Sequence, residues 1–211
     1  MKRFVLLIVL CVTALAAVWL TIESSKSEKS GVIDAIEARR SIRAYKDTPV
    51  EREKLQFLAE CGVKAPSAMN RQEWELRIVD SKAWIDDCTA TYLNAVEGTG
   101  KADYMKNAPG FKNIFRNAPA VIFVAAPEGV FAGENVGCLA QNIMLAATEL
   151  GLGTCFLGSV QMMFAEPAMK GCLQSLGFSD GYRLRYALAV GYSDETPEPK
   201  ERDMSKIKFV E

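Results

Sequence analysis

No histidine occurs among the 211 residues. That absence excludes Ser-His-Asp and Cys-His nucleophile systems and every metal site built on imidazole, so any chemistry must use other side chains or a cofactor. An excess of charge of one sign is also missing, because 25 Lys and Arg stand against 26 Asp and Glu and are interleaved with them. A nucleic-acid partner calls for a basic excess or stripe, and none is indicated. The six cysteines, at positions 11, 61, 88, 138, 155 and 172, include no CxxC pair. Set among apolar neighbours such as Leu139 and Phe156, they read as small buried core residues, and their wide spacing argues against a disulfide framework.

What is present is apolar mass: 49% of the residues are hydrophobic, enough for one domain with a substantial core. Residues 1–20 stand apart from it. Lys2-Arg3 is followed by an unbroken apolar run from Phe4 to Leu20, which reads as a signal peptide or an N-terminal membrane anchor. Ala14-Leu15-Ala16 offers a cleavage pattern, while Ala17 to Leu20 stay apolar beyond it, so both readings stand. Residues 21–30, rich in Ser, Lys and Glu, read as a flexible linker. The expectation is an exported or membrane-anchored protein, with the side of the membrane open.

Within residues 31–211 the first helix, over 30–36, runs into Arg39-Arg40-Ser41-Ile42-Arg43-Ala44-Tyr45. This places three guanidinium groups and a hydroxyl within five positions, a donor set that suits phosphate oxygens. Thr48-Pro49-Val50-Glu51 has the form of a helix start, with Leu55, Leu58 and Cys61 on the buried stripe. Ala65 to Gln72 forms a polar loop ahead of an alternating strand, 74–80. The stretch from about 89 to 117 is punctuated by glycine and proline and reads as a lid or an irregular excursion. Ala120 to Ala125 reads as a central strand, and Glu134 to Leu150 as a long amphipathic helix ending at Gly151. The glycines at 153 and 158 flank the apolar run 154–157 and allow close approach of the backbone to a flat ligand. A further strand spans 183–192, and Lys206 to Phe209 alternates again with no obvious neighbour.

Taken in order, Arg39 to Tyr45, Ala65 to Gln72 with Trp74, Leu150 to Cys155 with Leu157-Gly158, and Lys200-x-Arg202 make the chain resemble the FMN-dependent nitroreductase family. The resemblance implies an α+β fold with a mixed, mostly antiparallel sheet flanked by helices, and an intertwined homodimer whose C-terminal strand crosses to the partner. It implies FMN at the dimer interface. Arg39, Arg40, Ser41, Arg43, Lys200 and Arg202 would face its phosphate and ribityl groups, and Pro66, Ser67, Ala68, Asn70 and Gln72 would come from the other subunit. Leu157 and Gly158 would lie along the ring. No side chain is then catalytic, since the chemistry belongs to the flavin. NAD(P)H is the implied donor, with a small nitroaromatic, quinone or related acceptor, in a ping-pong cycle. The alternative is a membrane-tethered flavin protein that relays electrons without NAD(P)H turnover. Glu73 and Ser159 depart from the family's frequent proline and glycine.

Overall fold

The alternation of apolar side chains in two nearly uncharged strands fixes the middle of the molecule. The computed structural model describes residues 31–210. Its elements are α1 (Gly31–Ala38), α2 (Arg52–Val63), β1 (Glu75–Val79), α3 (Lys82–Ala95), α4 (Asp103–Lys106), β2 (Ala120–Ala126), α5 (Ala132–Glu149), β3 (Gly153–Leu157), α6 (Val160–Phe164), α7 (Lys170–Ser175) and β4 (Arg183–Gly191). The sheet order is β1-β2-β4-β3 and every neighbouring pair is antiparallel. The parallel element of the expected mixed sheet is one bridge, between Ser41 and Thr154.

Every residue of β2 is buried, so both faces of the sheet are covered. On one face, Val121 and Phe123 of β2 and Ala187 and Ala189 of β4 join Ile85 and Cys88 of α3 with Met163 and Phe164 of α6. On the other, Ile122, Val124, Leu188 and Val190 meet Leu55 and Leu58 of α2 and Leu139, Ala140 and Ile143 of α5. Side chains two apart thus share a face, as a pleated strand requires. Each of the larger ones contributes about 1.5–3 kcal/mol by leaving water. Gly62 lets α2 close on α5, since a methyl group there would meet Ile143 Cγ1 at 2.8 Å.

Four features differ from the sequence reading. The helix after Thr48-Pro49 starts later, at Arg52 with Glu51 as its N-cap, because Val50 is drawn into the core and holds the lead-in extended. The stretch 89–117 is not an open excursion. It completes α3, adds α4, and closes in a turn where Asn117 Oδ1 accepts from the N–H groups of Lys112 and Asn113, and Asn113 Oδ1 from those of Phe115 and Asn117. The cysteines are not all unpaired, for Cys88 of α3 is disulfide-bonded to Cys172 of α7, while Cys61, Cys138 and Cys155 are free. The expectation of export or membrane anchoring is also corrected. Among the described residues no helix is long and apolar enough to cross a membrane, and the segment 1–20 lies outside them.

Two outcomes follow from this packing. Replacing Cys88 and Cys172 together by alanine should lower the unfolding free energy by about 2–4 kcal/mol, read from urea denaturation, because the bond no longer restricts the unfolded chain. The second concerns acid. Glu51 accepts from its own backbone N–H, from the Tyr192 hydroxyl and from Lys54, and these bonds hold its carboxyl at about 2 against an ordinary 4.5. A depressed carboxyl stabilises the fold above its unfolded value and loses that contribution as pH falls from 4.5 towards 2. Glu51→Gln should therefore flatten the decline of melting temperature across that window; a parallel decline in the variant would refute the assignment.

Candidate functional site

The arginine segment is held as an extended strap. Helix α1 ends at Ala38, and the Arg39 N–H still donates to Ala35 O at 2.9 Å. The chain then runs along the edge of β3, with Ile42 N–H donating to Thr154 O at 2.8 Å. Further on it follows the segment after β4, where Lys46 N–H donates to Tyr192 O at 2.9 Å and Asp194 N–H to Ala44 O at 3.0 Å. Ile42 and Tyr45 are the buried anchors, while Arg39, Arg40 and Ser41 are half-buried and Arg43 is exposed. Gly153 makes this docking possible, since a methyl group there would lie 2.7 Å from Ile42 Cγ1. Its close approach within the chain is thus to the strap.

A carboxylate fixes the strap from the far side. Glu195 Oε1 accepts from the N–H of Arg43 at 2.5 Å and of Ala44 at 3.3 Å. Sequence reasoning missed Glu195, because nothing local marks a residue whose partners lie about 150 positions away. Burial first, then the neighbouring Cys155 and Glu195, raise the Tyr45 hydroxyl well above its ordinary pKa, against the lowering charge of Arg43. Protonated, it donates to Ile42 O at 2.6 Å and stiffens the strap.

The guanidinium groups differ in what they are free to do. Arg40 Nη1 donates to Glu37 O at 2.6 Å and Arg39 O at 2.9 Å, which places it over the helix C-terminus. Arg43 Nη1 donates to Ser41 O at 3.1 Å. The Arg39 guanidinium has no hydrogen-bond or ion-pair partner among the described residues, although it is half-buried. A half-desolvated cation of this kind is suited to an anion from outside the chain.

The loop 65–72 is a second construction. Met69, Asn70 and Gln72 have φ of 54°, 53° and 52°, a left-handed conformation that costs each non-glycine residue about 1–2 kcal/mol. The conformation is held by Gln72 N–H donating to Ser67 Oγ at 3.0 Å and by Ala68 N–H donating to Asn135 Oδ1 of α5 at 3.0 Å. Asn135 is buried, one of few such polar side chains, and sequence reasoning passed over it as part of a helix. Pro66, Ser67 and Ala68 line an open depression of about 260 Å³ with Phe131, Asn135 and Cys138. Asn70 and Gln72 are exposed, and Gln72 Nε2 donates to Asn70 Oδ1 at 3.3 Å.

The structure brings part of the expected site together. Arg39 to Arg43 run beside the start of β3, bridged to it at Ser41 and Thr154; the strand ends at buried Leu157, and exposed Gly158 follows, with Phe156 Cε1 3.9 Å from where a methyl group would lie. The loop 66–72 is bonded to α5 instead. Lys200 and Arg202 are exposed in the tail, and Arg202 Nη1 donates to its neighbours, Lys200 O at 3.0 Å and Glu201 O at 3.3 Å. A 3-10 turn, Met204–Lys206, leads into the alternating tail, where residues 207–210 form no strand within this chain and Ile207 is 72% and Phe209 98% accessible. A 680 Å³ cleft between α6, α7 and residues 178–185 touches none of the expected site residues.

A sequence model described as the Nitroreductase family matches residues 36–192. The Bacillus subtilis protein YfhC is 28% identical over 84% of this chain and 92% of its own. An NADPH-flavin oxidoreductase of Vibrio harveyi is 23% identical over 82% of this chain and 70% of its own. Among solved structures, a Desulfitobacterium hafniense nitroreductase with bound FMN superposes with a TM-score of 0.77 at 30% identity, covering 87% of this chain and all of that one. The family match begins after residues 1–30 and lends no support to export or membrane attachment.

Gly153→Ala tests whether the strap depends on its docking. The added methyl would displace Ile42, at about 1–3 kcal/mol for an overpacked core position. Differential scanning should show the loss, with Arg43 and Ala44 amides losing exchange protection; unchanged protection would mean that the strap is held without Ile42.

Proposed function

Because the chain belongs to the nitroreductase family, we propose that it is an FMN-dependent oxidoreductase that takes electrons from NAD(P)H and passes them to a small nitroaromatic, quinone or related acceptor by a ping-pong mechanism. The observation that carries this reading is the strap itself: a half-buried Arg39, without a hydrogen-bond or ion-pair partner among the described residues, beside Ser41, which is bridged to the strand that ends at Leu157. Those residues fit FMN. Arg39, Ser41 and Arg43 supply charge-assisted donors for the phosphate, and Gly158, which lacks a side chain and is exposed, leaves room for a flat ring.

When bound, FMN supplies the two-electron chemistry that no side chain here could supply. The chain's own residues bind and orient. Arg39 and Arg43 would hold and neutralise the phosphate. Glu195 and Tyr45 keep the strap in the conformation that aims those donors. The Gly158 N–H is left unshielded by any side chain of its own and serves as a donor to the ring edge, while Leu157 closes the site from the core side. Positive charge along the strap favours added negative charge on the ligand.

The site is completed by a second copy of the chain. Loop 66–72, with Pro66, Ser67, Ala68, Asn70 and Gln72, is held on α5, and the tail with Lys200 and Arg202 leaves Ile207 and Phe209 bare. Both features suit contribution across a homodimer interface, where those apolar side chains are covered.

The test is the visible spectrum of the purified full-length chain before and after anaerobic addition of NADPH or NADH. A yellow protein that bleaches supports the proposal. A yellow protein that stays yellow denies NAD(P)H as donor, and a colourless one that cannot be reconstituted with FMN overturns the cofactor. Arg39→Ala should weaken FMN binding by about ten- to a hundredfold, the loss of one charge-assisted phosphate contact.

A further inference from the structure

The turn that closes the stretch 110–118 packs directly against the strap. Ile114, Phe115 and Ala118 share a buried cluster with Ile42, Tyr45 and Cys155. Lys112 Nζ lies 2.5 Å from Asp47 Oδ1. Pro119 and Tyr45 flank the same glycine, since a methyl group at Gly191 would meet Pro119 Cδ at 2.7 Å and Tyr45 Cδ1 at 2.8 Å. Within this turn Arg116 and Asn117 have φ of 59° and 64°, a conformation that arginine adopts only when its surroundings impose it. The imposing bonds are those of Asn113 and Asn117, with Asn117 Nδ2 also donating to Gly110 O at 3.0 Å.

Core packing does not explain why an arginine stands at this strained position. Its side chain is half-buried, and its guanidinium carbon lies 5.3 Å from the centre of the Tyr104 ring. A cation over a ring keeps its N–H donors available to an acceptor. Among the described residues the group has no hydrogen-bond or ion-pair partner, the same condition as Arg39. Both groups act on Cys155, the residue after the Thr154 carbonyl that holds the strap. Burial raises the pKa of the Cys155 thiol, the charges of Arg43, Arg116 and Arg39 oppose it, and Glu195 adds to it.

We propose that Arg116 is a phosphate-binding residue, delivered by the asparagine-locked turn to the anion site framed by Arg39 and Arg43, where it takes the terminal phosphate of FMN. This assignment rests on the cofactor reading above and extends the site into a stretch that no sequence motif marks. Of the opposing charges, Asp47 is paired with Lys112, and Glu195 Oε1 already accepts from the backbone N–H groups of Arg43 and Ala44. The strain at Arg116 is then the cost of aiming a guanidinium from a turn where glycine would sit at ease.

The experiment compares FMN with riboflavin, which lacks the phosphate, by flavin fluorescence titration of the full chain and its Arg116→Gly and Arg116→Lys variants. Arg116→Gly relieves the left-handed strain, so its melting temperature should be kept while its FMN affinity falls about tenfold and its riboflavin affinity stays unchanged. Arg116→Lys should recover part of the FMN affinity. Equal FMN affinity in wild type and Arg116→Gly overturns the assignment alone. An equal loss for both flavins also overturns it, by reducing Arg116 to a structural role. A wild-type chain that binds neither flavin overturns this assignment and the cofactor reading together.

Discussion

The contact between Ile42 and Gly153 is the constraint on which the rest of the site depends. A side chain at 153 would push Ile42 away by steric overlap, and with it the hydrogen bond from Ile42 to Thr154. Everything polar on the strap inherits its direction from that contact. Glu195 and Tyr45 fasten the strap after it has docked, and neither could do so from a displaced backbone. The result is a short run of cations held on rigid elements, which preorganises them at low entropic cost to a ligand.

Much of this arrangement was legible in the residues, and the reasons are specific. β4 and α5 carry clear periodicity, and β2 is a short apolar run with β-branched residues that stops at Pro127, so pattern and length decide their types. The strap and the loop 65–72 declared themselves by composition, a density of guanidinium and short polar side chains that core packing does not explain. The helix start expected at Thr48-Pro49 is displaced to Arg52, with Val50 buried in the core ahead of it. Gly153 was read correctly as a point of close approach, but its neighbour is Ile42 of the same chain.

What escaped the sequence were single residues whose meaning lies in distant partners. Glu195 meets the strap from about 150 positions away, Asn135 meets Ala68 across 67, and Cys88 meets Cys172 across 84. None belongs to a local pattern. Arg116 was hidden for another reason, since the turn around it is built from asparagine side chains that bond their own backbone, a device that reads as ordinary loop composition until the geometry is known.

The strap has a further consequence for the life of the chain before any ligand arrives. Strand β3 stands at one margin of the sheet, paired with β4 on one side only. Open margins of this kind recruit other chains and seed aggregates. Residues 41 and 42 lie across the beginning of that margin and take up the Thr154 carbonyl, so the segment that presents the cations also blunts the strand that would otherwise be sticky. Selection on solubility in the cell and selection on ligand binding therefore act on the same few positions. A variant that loosens them would be seen first as poor yield of soluble protein, and only afterwards as a defect in chemistry.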